Sequence, residues 1–177
     1  MANIMLDLET LATTPNAHIL SIGAVMFDEE SVGRIFYTPI DVASDQCGAE
    51  IDPKTVKWWT EQEEAAMSAF SEDGVSFHRA LDLFGYFVRD AGYDVCVWGN
   101  GADFDNLILS SAYARAGIPL PWNRFRNRCY RTLSSLFPDT PRSISRVEHN
   151  ALDDAISQAQ HAMQLLKRIK GGQTDDA

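Results

Sequence analysis

The sequence has little cysteine. Cys47, Cys96 and Cys129 are the only three in 177 residues, odd in number and far apart. A disulfide scaffold needs pairs and a zinc ribbon needs closely spaced pairs, so neither is expected, and a reducing, cytoplasmic setting suits the chain. No apolar run approaches the ~20 residues that a membrane-spanning helix requires. The first ten residues carry Asp7 and Glu9 where a signal peptide would have a basic flank and an apolar stretch. No internal repeat and no Gly/Pro-rich linker interrupts the chain, so one compact domain is expected, able to bury roughly 70% of its unfolded surface. Positive charge is also scarce: 15 Lys and Arg face 25 Asp and Glu, for a net charge of −10.

That deficit is uneven. From Pro121 to Asn150 six arginines (Arg124, Arg126, Arg128, Arg131, Arg142 and Arg146) oppose only Asp139 and Glu148, a net of +4 that leaves −14 elsewhere. An acidic body is a poor match for wrapping long duplex nucleic acid, which needs many phosphate contacts. A local basic strip is compatible with gripping a short strand, and equally with a solvated loop.

Apolar content of 45% and charged content of 23% are ordinary for a globular chain. Asn3–Glu9, His18–Phe27 and Gly33–Ile40 read as three strands joined by short links, hence an antiparallel meander. Asp52-Pro53 opens a helix bearing Val56, Trp58 and Trp59. Phe77, Ala80, Leu81, Phe84 and Val88 keep helical spacing. Asp94–Trp98 reads as a strand ending in Gly99-Asn100-Gly101, followed by a helix over Asp103–Ala116. Leu152, Ile156, Ala159, Met163 and Leu166 mark the stripe of a final helix closed by Gly171-Gly172. Strands first, then helices alternating with a strand, give an α/β class: a mixed sheet with helices packed on it.

Acids interrupt the apolar segments at three places. Asp7 and Glu9 sit two residues apart on a strand, so their side chains leave one face with Cα atoms roughly 6.5 Å apart. A cation between them relieves their repulsion, and oxygen-only ligands favour Mg²⁺ or Mn²⁺ over zinc. An edge-strand acid pair facing water is the plainer alternative. Asp105 lies near a helix start beyond a strand end, where ligands collect in α/β sheets. Asp103 is an equal candidate, and either acid would also suit the helix dipole. His149 and Asp154 frame the start of the last helix. Five helical residues turn about 140°, so the two share a site only if His149 stands on the preceding loop. An imidazole titrates near neutrality and suits a general base there. Asp153 competes with Asp154, and periodicity does not choose between them.

Asp-Leu-Glu-Thr (7–10), Asn-Gly-Ala-Asp-Phe-Asp (100–105) and His-Asn-Ala-Leu-Asp-Asp-Ala (149–155) together resemble the three exonuclease motifs of the DEDDh, or DnaQ-like, 3′–5′ exonucleases of the ribonuclease H-like fold. The resemblance spans about residues 3 to 168. TVKWWTEQ and CYRTL look most like a small bacterial and phage branch. The resemblance implies an α/β, ribonuclease H-like mixed five-stranded sheet flanked by helices, with an exonuclease domain over residues 1–170 and a disordered tail over 171–177. It selects Asp105 over Asp103 and Asp154 over Asp153. It implies Asp7, Glu9, Asp105 and Asp154 as ligands of two Mg²⁺ or Mn²⁺ ions, with His149 as base.

The resulting expectation is in-line hydrolysis of a terminal phosphodiester, with ions about 3.5–4 Å apart, releasing nucleoside 5′-monophosphates. Single-stranded DNA or RNA 3′ ends are the expected partners, with a homodimer also implied by resemblance. Thr10 and Leu11 are expected against the terminal nucleotide, Trp59 or Trp58 against a base, and Arg128 with its neighbouring arginines against phosphates. Both tryptophans also suit the core face of an amphipathic helix. Two other functions compete: a ribonuclease H-like endonuclease, and a nucleic-acid-binding or proofreading accessory subunit. The His-x5-Asp ending disfavours the first, and the complete acid set disfavours the second.

Overall fold

The computed structural model describes residues 2–62, 70, 73–101, 103–142 and 149–171. Arg146 and Glu148 of the basic strip, and residues 172–177 of the expected tail, lie outside them. Five strands form one sheet: β1 (Asn3–Thr10), β2 (Ile19–Phe27), β3 (Val32–Pro39), β4 (Cys96–Gly99) and β5 (Asn127–Cys129). Their spatial order is β3-β2-β1-β4-β5. β1 pairs antiparallel with β2, and β2 with β3, which is the expected meander. β4 runs parallel to β1, and β5 parallel to β4. β1, β4 and β5 therefore end at one edge of the sheet, and β1 lies at its centre.

Period-two alternation in β1 sorts its side chains onto two faces. Ile4, Leu6 and Leu8 enter a core with α2 (Phe77–Ala91) and α3 (Asp105–Arg115), through Phe77, Leu81, Phe84, Ile108 and Leu109. Met5 faces the other way, onto α4 (Tyr130–Ser135) and α5 (Ala151–Gly171). Asp7 and Glu9 continue the Met5 row towards the strand end. The remaining helix, α1 (Pro53–Trp59), has Pro53 in its first turn and Asp52 as cap, the Asp52 carboxylate accepting from the Lys54 N–H at 2.9 Å.

Three elements depart from expectation. β5 and α4 are short, and neither Asn127-Arg128-Cys129 nor the six residues after it carries enough periodicity to announce a strand or a helix. The stripe expected on α5 is also shifted. Leu152, Ile156, Met163 and Leu166 are half-buried, whereas the face against the sheet is Ala151, Ala155, Ala159, Ala162 and Leu165. Small side chains let the helix axis approach the strands closely. Gly23, which pairs directly with Asp7, completes that approach: a Cβ there would stand 2.2 Å from the Ala151 carbonyl carbon. The start of α5 is thus laid on the strand residue beside Asp7.

Candidate active site

β1 delivers Asp7 and Glu9, and the first turn of α5 delivers Asp154. Carboxylate oxygens of these three residues lie within 4.8 Å of one another. Opposite ligands of an octahedral Mg²⁺ are ~4.2 Å apart, so small side-chain movements close the set around a hard cation. Asp154 and Gln158 stand one turn apart on α5, and Gln158 Nε2 donates to Asp7 Oδ1 at 2.8 Å. Arg142 approaches Asp154 Oδ1 at 3.5 Å.

Asp105 opens α3 and is buried. Its Oδ1 accepts from the Leu8 N–H at 3.2 Å, and its Oδ2 from the Asn100 N–H at 2.8 Å. It lies outside the tight three-acid group but near enough to raise the Asp7 pKa. Asp103, its local rival, is exposed. Gly99 has a specific reason to lack a side chain: a Cβ there would meet Asn106 Oδ1 at 2.5 Å and Asp105 Oδ2 at 3.0 Å.

These acids are poor in compensating charge. Burial pushes the Asp7 carboxyl well above the usual range, reinforced by Asp105, Glu9 and Asp154. Burial also pushes Glu9 up to about 8, with Asp154 and Asp105 adding to the rise. Asp105 rises to about 7 by burial, although the Asn100 and Leu8 amides and Arg131 oppose the shift. The metal-free folded state therefore holds protons that the unfolded chain releases near pH 4. The corresponding stability is complete below that pH and is lost as pH rises to about 8. Melting in EDTA should fall between pH 5 and pH 8, and Mn²⁺ should raise it more at pH 8 than at pH 5. A melting temperature that climbs over this interval without metal would contradict the charge assignment.

His149 stands outside α5, on the preceding loop, as its spacing from Asp154 requires. Its φ is 61°, a left-handed conformation that costs a non-glycine residue ~1–3 kcal/mol. Its N–H donates to Asp154 Oδ2 at 3.1 Å. Its ring stands edge-on to Trp58, with centroids 4.8 Å apart. The strained backbone is thereby tied to an acid of the site, and the imidazole is held by an aromatic wall.

Beside the acids is a cavity of about 420 Å³ whose lining includes Glu9, Thr10, Lys54, Trp58, Trp59 and Phe104. Thr10, expected against the terminal nucleotide, lines this cavity. Leu11 and Trp59 both pack into the core here, and Trp59 also borders the cavity. Leu11 is 3% exposed and packs with Leu20 and Trp59, while Trp59 is 1% exposed and donates from Nε1 to the Thr10 carbonyl at 2.9 Å. Their apolar surface is spent on the core beneath the cavity. Trp58, 40% exposed, presents the open ring. Arg128 Nη1 is turned to its own chain, 2.8 Å from the Asn127 carbonyl. Lys54 and Phe104 were not foreseen. Gln158 was not foreseen either, although its i+4 spacing from Asp154 signals a shared helix face.

The Rv2179c-like 3′–5′ exoribonuclease domain matches residues 2–166. No curated protein matches the chain significantly. Among solved structures, cell-death related nuclease 4 (CRN-4) superimposes with a TM-score of 0.62 at 11% identity, over 94% of this chain and 64% of that one. Exonuclease X, in complex with 5′ overhanging duplex DNA, gives 0.60 at 14% identity, over 93% and 91%. S. pombe Pop2p, in its Mg²⁺- and Mn²⁺-bound form, gives 0.62 at 16% identity, over 97% and 85%. This chain thus spans less than two thirds of CRN-4, and at these identities the likeness establishes the fold: a mixed five-stranded sheet with flanking helices, ribonuclease H-like. Among the described residues no helix is long and apolar enough to cross a membrane. The chain belongs to the family of the Rv2179c-like 3′–5′ exoribonuclease domain, a hydrolytic exonuclease domain.

Proposed function

We propose that the chain is a metal-dependent 3′–5′ exoribonuclease of the DEDDh type. It removes nucleoside 5′-monophosphates from single-stranded RNA 3′ ends. The observation that carries this reading is the convergence of Asp7, Glu9 and Asp154 within 4.8 Å, with His149 tied by its backbone to the third acid. Asp105 serves the same site from behind, held by two backbone amides. The donors are all carboxylate oxygens, which suits Mg²⁺ or Mn²⁺. Two such ions, when bound, supply Lewis acidity at the phosphate and lower the pKa of water.

The chain's own residues do the rest. Asp7 lies in the group with Glu9 and Asp154 and is oriented by Gln158, and these three acids would hold the metal. His149 takes the proton of the attacking water. The water oxygen forms the new bond to phosphorus, the bond from phosphorus to the upstream 3′ oxygen breaks, and that oxygen leaves as an alkoxide that takes a proton from solvent. The cavity by Thr10 and Trp58 receives the terminal nucleotide, with its base against the open Trp58 ring. Arg128 meets the phosphate backbone after turning away from the Asn127 carbonyl. Three free cysteines fit a cytoplasmic setting, and light scattering tests the homodimer that the family likeness suggests.

His149→Ala should slow hydrolysis ~10²–10⁴-fold, the usual worth of a general base, while Mn²⁺ affinity by calorimetry stays within a few-fold. An unchanged rate would exclude His149 as the base. A circular single-stranded RNA separates this reading from an endonuclease: it has no 3′ end and should survive intact.

A further inference from the structure

Phe125 is 79% exposed, more than any other large apolar side chain among the described residues. It lies in a 3-10 turn, Arg124–Arg126, at the foot of β5. The Arg124 guanidinium stands 5.1 Å from its ring centroid, a cation–π contact that steadies the ring without burying it. Across from it α3 exposes Leu107 at 41%. Between the two is a second cleft of about 340 Å³, lined by Leu107, Ser110, Arg124, Phe125 and Asn127.

Three features indicate what it holds. Residues 121–131 contain four arginines and no acid in a chain of net charge −10; Arg126 pairs with Asp94 at 3.7 Å, and Arg124 lines the cleft, so the segment carries a net positive charge that favours an anion. An exposed phenyl ring interleaved with arginines is the composition that binds single strands, because every base has a face to stack. The cleft lies further back along the sheet than the acids: Asn127 is level with Ile4 in the sheet register, three residues or ~10 Å before Asp7 and two strands away, so a strand leaving the acids would reach it only after a few nucleotides.

We propose that this cleft binds a nucleotide upstream of the scissile phosphate. Phe125 is its stacking platform, and Arg124 contacts its phosphate. The inference rests on the exonuclease reading above and deepens it. Strand length then becomes a determinant of rate. A hexanucleotide fills the cleft, whereas a nucleoside 5′-p-nitrophenyl phosphate, which has no upstream nucleotide, leaves it empty.

The test compares kcat/KM on these two substrates for the wild type, Phe125→Ala and Phe125→Trp. Phe125→Ala should lower kcat/KM on the hexanucleotide ~5–100-fold, mainly through KM, which is the range for losing one stacked base. The nitrophenyl ester should be hydrolysed as before, and Phe125→Trp should restore the hexanucleotide. An equal fall on both substrates, or no fall on the hexanucleotide, overturns the proposal. Anisotropy of a labelled phosphorothioate hexanucleotide in Ca²⁺ keeps the two readings apart. An inactive wild type whose binding still weakens on Phe125→Ala sinks the exonuclease reading and keeps the cleft. An active wild type with unchanged Phe125→Ala affinity does the reverse. If Phe125→Ala instead dissociates a dimer in light scattering and leaves RNA affinity intact, the ring belongs to a contact between copies and the cleft is overturned.

Discussion

Replacing Asp7 by Asn should make the metal-free protein more stable and remove its activity. The substitution keeps the volume of the side chain and an oxygen that accepts from Gln158 Nε2. It removes a carboxyl whose ionisation burial and the acids Asp105, Glu9 and Asp154 make costly. Relieving an uncompensated buried charge is worth on the order of 1–3 kcal/mol. In a chain of 177 residues each kcal/mol moves the melting temperature by roughly 2–4 °C. The same change weakens the cation site, and losing several kcal/mol of transition-state charge stabilisation costs about 10³-fold or more in rate. Thermal melting in EDTA and a nuclease assay on one preparation check both signs. A variant that melts lower and still hydrolyses RNA would mean that Asp7 is a structural acid.

Gly23→Ala should damage the site without altering any residue that touches substrate. The added carbon would lie 2.2 Å from the Ala151 carbonyl carbon, 2.3 Å from its oxygen and 2.3 Å from the Leu152 nitrogen. These are backbone atoms, so no rotamer change relieves the clash. The first turn of α5 must lift by about 1 Å to restore van der Waals contact, and it carries Asp154 with it. Misplacement of a catalytic group by about 1 Å costs roughly 10²-fold in rate. Overpacking of this kind typically costs ~1–3 kcal/mol, so the variant should fold with a lowered melting temperature. Gly33→Ala, on the neighbouring strand, is the control: its Cβ would meet Met26 O at 3.5 Å, an ordinary contact. A Gly23→Ala variant with wild-type kcat/KM would show that the seating of α5 on β2 does not set the site.

What was readable in advance divides along physical lines. The central strand was, because Ile4, Leu6 and Leu8 bury one face and leave Asp7 and Glu9 on the other. The loop position of His149 followed from helix geometry alone. The choice of Asp105 over Asp103 did not. It came from the joint motif pattern, and the structure shows two amides converging on the buried Asp105 carboxylate, a feature no sequence pattern displays. The face of α5 was misplaced because large apolar side chains dominate a periodicity argument, whereas close approach to a sheet selects alanine. Trp58 and Trp59 are adjacent, and helix rotation says that they differ without saying which is buried. Tertiary packing on Leu11 and Leu20 decides it. β5 is three residues long, and its place comes from the neighbour that it pairs with.

The central claim is that Asp7, Glu9, Asp105, Asp154 and His149 hydrolyse an RNA strand from its 3′ end. The most direct test is a 5′-labelled single-stranded RNA incubated with the purified chain and Mg²⁺ or Mn²⁺, resolved at single-nucleotide steps beside an analysis of the released nucleotides. The account predicts a ladder shortening one residue at a time from the 3′ end, nucleoside 5′-monophosphates as product, and no ladder with EDTA or with Asp7→Asn. Internal fragments appearing first, release of 3′-monophosphates, or equal hydrolysis in EDTA would contradict it.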